Sequence, residues 1–196
     1  MSKSAPTVEI EVKKATLLFE PDAWLKMFAL VNAYKGEVQW QGTVKRLSEN
    51  KFAVEKIVIF PHEVSSVSVL SEQAEYEEFM RSLDRETYKN LRLHGHSHVD
   101  MSVTPSALDY RVREHSSGNL ANPFPGYDPF LIFMIVNKRG DIHCFIHDRA
   151  NKIDYDTENI TLAIKASEYE TLADFVAKAK SLTRERNPVK MEEDAT

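Results

Sequence analysis

The sequence predicts an α/β domain, a mixed β-sheet flanked by helices. Two observations carry this. Short apolar or alternating runs, the signature of strands, are interspersed with segments whose apolar residues recur at three-and-four spacing. Two pairs of strand-like runs are joined by tight turns, at 48–51 and 138–141, and so form hairpins. Hairpins and separate strands alternating with amphipathic helices give a layered sheet with helices on its faces.

The elements follow in order. Residues 8–12 alternate apolar and charged, and 15–19 is a second short apolar run; both suit strands. Pro21-Asp22 starts a helix that should run to about Tyr34, with Leu25, Phe28 and Ala29 as its buried stripe, until Lys35-Gly36 stops it. Residues 38–44 alternate and pair with 52–60 through the Ser48-Lys51 turn. The Ser/Val-rich stretch 64–70 is a short edge strand or an irregular segment. Residues 71–83 carry Tyr76, Phe79, Met80 and Leu83 at helical spacing, with a further turn over 85–90. A strand at 91–96 runs into a histidine cluster. Thr104-Pro105 reads as a helix start, Thr104 at the N-cap and Pro105 at N1, with the helix extending to about His115. Residues 116–128 form a Gly/Pro/Asn-rich loop, either a substrate flap or an ordered crossover. The continuous run 130–136 is a buried strand, 142–146 its hairpin partner and 160–164 an edge strand. Residues 167–184 form an amphipathic helix. The expected organisation is a flexible 1–7, one domain over 8–185, and a charged disordered tail over 186–196.

Composition narrows the function. The chain has 196 residues, 42% hydrophobic and 28% charged, the make-up of a globular domain with a real core. Its net charge of −5 and the lack of any Lys/Arg run argue against a nucleic-acid partner. The single cysteine, Cys144, excludes an internal disulfide. No run reads as a signal or a membrane span, so the expectation is a cytoplasmic protein without membrane association.

The chemistry concentrates in His94-Gly95-His96-Ser97-His98, three of the seven histidines at alternate positions. Residues two apart in extended chain project to one side, so His96 and His98 can reach one metal, with His94 on the same side. Catalytic zinc takes three ligands from His and Asp/Glu and keeps one position open. Asp109 supplies the third, because the first turn of the following helix aims its carboxylate back at the strand end. Ser106 lies one helical turn before it, where its hydroxyl can reach a substrate oxygen. Glu37, at a helix-to-strand junction, is the candidate proton acceptor.

The set His96-x-His98, seven residues, Ser106-x-x-Asp109, with Glu37 upstream, resembles the JAMM motif of MPN-type (JAB-domain) metalloproteases. Element order extends the resemblance over about residues 8–150. It implies a cytidine-deaminase-like fold and zinc-dependent hydrolysis of peptide or isopeptide bonds, with a peptide or ubiquitin-like protein as substrate. It implies that His96, His98 and Asp109 bind Zn2+, that Glu37 is general acid/base, and that Ser106 stabilises the oxyanion. His94 then lies beside the metal rather than on it. Three positions depart from the pattern. Val99 stands where the family usually carries Pro. Trp40 stands where Gly often follows the Glu by three. His94-Gly95 replaces the Gly-Trp that commonly precedes the first His. These departures point to a divergent prokaryotic or phage-type branch.

Two other functions compete. His96-x-His98-x-Asp100 resembles the start of a metallo-β-lactamase motif, but Met101 stands where that motif has His, and only His115, His143 and His147 remain as later ligands. The second rival is a non-catalytic MPN-type scaffold, although members of that kind typically lack the ligands. The remaining candidates read as structural: His143 and His147 on a strand, His62-Glu63 and Glu114-His115 as surface pairs, Asp100 in a loop, Cys144 in the core.

Overall fold

A computed structural model describes residues 13–64, 69–70, 73–120 and 127–165. The expected strand at 8–12, the helix at 167–184, both terminal segments and residues 121–126 of the expected 116–128 loop lie outside those residues. Among the described residues the fold is mixed α/β, with an eight-stranded mixed sheet and four α-helices. None of these helices is long and apolar enough to cross a membrane.

The strands of the large sheet, in chain order, are β1 (Ala15–Phe19), β2 (Gln39–Ser48), β3 (Lys51–Val58), β6 (Leu91–Ser97), β7 (Phe130–Val136), β8 (Ile142–Asp148), β9 (Ile153–Tyr155) and β10 (Ile160–Ile164). A separate two-stranded sheet joins β4 (Glu63–Val64) to β5 (Val69–Leu70), in the stretch where the sequence left strand and irregular structure open. The spatial order is β10-β1-β3-β2-β6-β7-β8-β9. Both expected hairpins form, β2–β3 and β7–β8, each antiparallel. β6 and β7 are parallel, so the helix between them, α4 (Ala107–Asn119), is a crossover. β10 lies at one edge, parallel to β1. β9, which the sequence did not announce, closes the other edge; it is only three residues long and follows a turn through Lys152 at φ 55°.

α1 (Pro21–Ala33) starts at Pro21 as the sequence implies, but its buried stripe differs. Ala23, Met27 and Val31 face the sheet, whereas Leu25 is 68% exposed and Ala29 is also exposed. The core forms between α1 and one face of the sheet, around Leu17, Phe19, Trp40, Phe52, Leu93, Ile132 and Ile146. In α2 (Gln73–Ser82) and the residue after it, Tyr76, Phe79, Met80 and Leu83 are the partly buried positions, as their spacing predicts. α3 (Arg85–Asn90) is capped by Asp84, whose carboxylate accepts from the Glu86 and Thr87 amides.

One charged cluster ties the two hairpins together. Arg46, near the end of β2, donates to both carboxylate oxygens of Asp148 at 2.7 and 2.9 Å and to those of Asp128 at 2.8 and 3.0 Å. Its guanidinium also lies 4.9 Å from the centroids of Phe52 and Phe130. Asp148 is 0% exposed. Burial favours its neutral form, yet hydrogen bonds from Arg46 and Asn151 hold its pKa below the ordinary carboxylate value. Arg46→Met would strand that carboxylate, at an expected cost of about 3–5 kcal/mol in unfolding experiments at pH 7. A depressed native pKa gives stability that is present above the unfolded value of ~3.9 and lost as pH falls through the native one. The gap between wild type and variant is therefore expected to narrow below about pH 4. A pH-independent gap would contradict the Asp148 assignment.

Candidate metal centre

The two faces of the sheet divide the labour by strand alternation. On β6, Leu93, Gly95 and Ser97 point to the core side and are buried; His94 and His96 point to the other. Register extends the second face across the neighbouring strands. His96 pairs with Ile135 of β7, which pairs with His143 of β8; His94 pairs with Phe133, which pairs with Phe145. Residues of α4 close over this face, leaving a cavity of about 380 Å³. All six residues that the sequence singles out, Glu37, His94, His96, His98, Ser106 and Asp109, line it.

Three of them converge. Asp109 Oδ1 lies 3.1 Å from His96 Nε2, and Asp109 Oδ2 lies 3.6 Å from His98 Nε2. The prospective ligand atoms of His96, His98 and Asp109 all fall within 4.8 Å of one another. Among the described residues this is the one group of three or more His, Cys, Asp or Glu so placed.

The donor set fits a cation. His98 Nδ1 donates to the Ser102 carbonyl at 2.7 Å, which leaves Nε2 as the nitrogen facing Asp109. A neutral imidazole then presents a lone pair to a carboxylate. That approach is repulsive unless a proton or a cation lies between them, and a cation there also serves His96. The local field favours positive charge. The Asp109 hydrogen bond, outweighing burial, raises the His98 pKa. Burial pushes the Asp109 carboxyl up, but hydrogen bonds from His96, His98 and Ser106 overcome this and hold it well below the carboxylate range.

Local chain chemistry sets these positions. The helix does not start at Thr104, as its Thr-Pro signal implies; the N-cap is Ser106, and Pro105 precedes it. Ser106 Oγ accepts from the Asp109 amide at 3.3 Å, and Asp109 Oδ2 accepts from the Ser106 amide at 2.6 Å. This reciprocal capping box wins over Thr104 because it satisfies two backbone donors at once. The Ser-x-x-Asp spacing of the candidate site is thus also a helix start. It tethers Oδ2 and leaves Oδ1 the freer oxygen. The helix runs to Asn119, past the expected end at about His115.

Glu37 is 8% exposed and sits just before β2. Burial raises its pKa, partly offset by the charges of His98 and His96 and reinforced by Asp109. Its position depends on Ser97, which sequence reasoning passed over. Ser97 is fully buried, its Oγ accepts from the Val38 amide at 3.0 Å, and its own amide donates to the Val38 carbonyl at 2.9 Å. These bonds lock the residue after Glu37 to the one between His96 and His98. His94 is partly buried beside Phe133, and desolvation lowers its pKa to about 4. A neutral His94 adds no positive charge to compete with a cation.

Two other supports were not legible. Asn137, 0% exposed, donates through its Nδ2 to the Met101 carbonyl at 2.9 Å and so pins the loop after His98. Its signal was an Asn opening a turn after an apolar strand. His62 is not the surface residue the sequence implied: it is partly buried and its Nε2 accepts from the Gln39 amide at 3.2 Å. In the turn itself the Met101 amide donates to the His98 carbonyl at 2.7 Å, with Val99 at φ 46°. That left-handed conformation strains a β-branched residue.

His143 lines the cavity but, like His147, stands outside the His96-His98-Asp109 group. His143 Nδ1 pairs with Thr157 Oγ1 at 3.0 Å, and His147 Nδ1 with Asp154 Oδ1 at 2.7 Å. Cys144 is buried, its thiol pushed up to about 12 by desolvation. Asp100 is exposed and outside the cluster.

Fold and donor set together define a mixed α/β domain with a buried His-His-Asp group able to hold a metal ion. No family model and no curated protein matches the chain.

Proposed function

We propose that the protein is a zinc-dependent hydrolase of peptide or isopeptide bonds, of the JAMM/MPN type. The observation that carries this reading is the convergence of His96, His98 and Asp109, from β6, its following turn and α4, within 4.8 Å, in a cavity that Glu37 also lines. Zn2+ held by these three would lower the pKa of water and polarise a carbonyl. The raised pKa of Glu37 suits it to accept a proton from the attacking water and return it to the leaving amine. The Ser106 hydroxyl keeps its own proton while its oxygen caps the helix, so it can donate to the oxygen of the scissile carbonyl.

One departure from the JAMM pattern has a structural counterpart. A Pro after the second histidine requires φ near −65°, whereas Val99 adopts φ 46°. The departure therefore tracks a different turn and leaves the ligands in place. A two-metal, metallo-β-lactamase-like site would need Asp100 in the cluster, where it is absent.

Zinc titration followed by peptide hydrolysis tests the proposal. Wild type is expected to bind one zinc and to release amines from a mixture of digest peptides. Glu37→Gln is expected to keep the zinc and lose roughly 10²–10⁴-fold in rate. Failure to bind zinc would refute the metal site. A wild type that binds zinc but cleaves nothing would favour the non-catalytic scaffold, and an unimpaired Glu37→Gln would remove Glu37 from the mechanism.

A further inference from the structure

The cavity continues past His96, His98 and Asp109, and one cation in it forms no ion pair among the described residues. Arg113 follows Asp109 by one helical turn on α4, so it faces the same side as the ligand. It lies over Phe145, with the guanidinium carbon 4.0 Å from the ring centroid, and 4.8 Å from that of Tyr110. It is partly buried, yet among the described residues no carboxylate lies within ion-pair distance of it and no hydrogen bond uses its five donors. Two other guanidiniums among the described residues that are not exposed are satisfied: Arg46 by two carboxylates, the buried Arg92 by backbone carbonyls. A planar five-donor fork left open beside apolar walls is suited to a carboxylate, which it can bind in two parallel hydrogen bonds.

The surroundings restrict which carboxylate. Leu108, Val112, Phe133 and Phe145 give the cavity apolar walls. His143, in the same row of the sheet as His96 but two strands away, is partly buried, and the charges of Arg113 and of Asp156, Asp109 and Glu158 act on it. Two strand spacings are roughly 10 Å. With about 2–3 Å taken by the contact at each end, roughly 4–6 Å of chain remains between His96 and His143, one or two residues at ~3.3–3.6 Å each.

We propose that Arg113, with His143 beside it, binds the C-terminal carboxylate of a peptide whose last residue or two occupy the apolar part of the cavity. This rests on the metallopeptidase reading and narrows it: the protein trims chains from a free C-terminus. Water adds across the C–N bond, oxygen to the acyl carbon and a proton to the departing nitrogen. The product leaving through this subsite is an amino acid or dipeptide with an apolar side chain.

The test uses N-acetyl-Ala-Leu with a free carboxylate and the same dipeptide amidated, titrated calorimetrically into zinc-free and zinc-loaded protein. Wild type is expected to prefer the acid at least 10-fold in both states. Arg113→Gln and Arg113→Met should bind acid and amide equally, and Arg113→Lys should keep part of the preference. Equal binding of acid and amide by wild type overturns the proposal, as does a preference that survives in Arg113→Gln. Arg113 lies on a partly exposed helix face, and unchanged melting of Arg113→Lys separates lost recognition from lost folding. Zinc uptake is read independently. Zinc bound without acid preference sinks the subsite alone; acid preference in zinc-free protein without zinc uptake sinks the metal reading and the trimming with it, leaving only the carboxylate subsite.

Discussion

An Asp109→Ala chain is expected to lose zinc and part of a helix together, because in the proposed site one carboxylate serves both. Asp109 Oδ2 accepts from the Ser106 amide at 2.6 Å, while Oδ1 faces His96 Nε2 at 3.1 Å. Removing it leaves two histidines, too few for a catalytic zinc site. Affinity should fall by more than the about 10–100-fold that loss of outer-shell partners produces. Loss of its half of the capping box should cost about 1 kcal/mol in urea unfolding of the metal-free protein. Ser106→Ala separates the two roles. It removes the other half of the box at a similar cost of about 1 kcal/mol, but deletes no ligand. Its zinc affinity should therefore stay within a few-fold of wild type. Wild-type zinc binding by Asp109→Ala would exclude Asp109 from the ligand set. Equal zinc loss in both variants would mean that the cap, rather than the carboxylate, governs the site.

The same pair shows why the candidate site was legible while its scaffold was less so. His96, His98, Ser106 and Asp109 lie in a short stretch where strand alternation and helical spacing fix relative direction, so local geometry sufficed. Glu37 was found by its place at a helix-to-strand junction. What locks it there, the Ser97–Val38 hydrogen bonds, joins residues 59 apart in sequence and leaves no local trace. The two hairpins, the buried strand at 130–136 and the α2 stripe follow from periodicity and turn residues alone. The α1 stripe does not. Ala23-Met27-Val31 and Leu25-Phe28-Ala29 are both regular at helical spacing, and only the position of the sheet decides that Leu25 faces solvent. At α4 the Thr-Pro signal competed with the capping box, and the two-bond arrangement prevailed. β9 carries too few residues to show a period.

Gly95→Ala is expected to damage the fold more than any surface change and to weaken zinc binding with it. Gly95 stands opposite Trp40 across the β2–β6 pair. A Cβ added there would lie 2.3 Å from Trp40 Nε1 and 2.4 Å from Cε2, so the indole or the strand must move. Trp40 is 0% exposed, and its Nε1 is buried without a hydrogen-bond partner, so its site is set by packing alone. Overpacking of this kind costs about 1–3 kcal/mol, and emptying the site by Trp40→Gly about 3–5 kcal/mol. The JAMM pattern resembled here often has Gly three residues after its Glu and Trp just before its first His. Those two positions are Trp40 and Gly95, direct cross-strand partners in this fold. What reads along the chain as two departures is therefore one exchange of a large and a small residue across a strand pair. An exchange of that kind keeps the summed volume of the pair, and we take it as support for the proposed resemblance. Reversing it makes the argument testable. The double variant Trp40→Gly/Gly95→Trp should be more stable than the sum of the single losses predicts, by about 1–3 kcal/mol, and should recover zinc binding that Gly95→Trp alone loses. Urea midpoints and zinc titrations of the four chains measure both. Strictly additive losses would mean that the two positions are not one packing unit, and the exchange would lose its force as support for the resemblance.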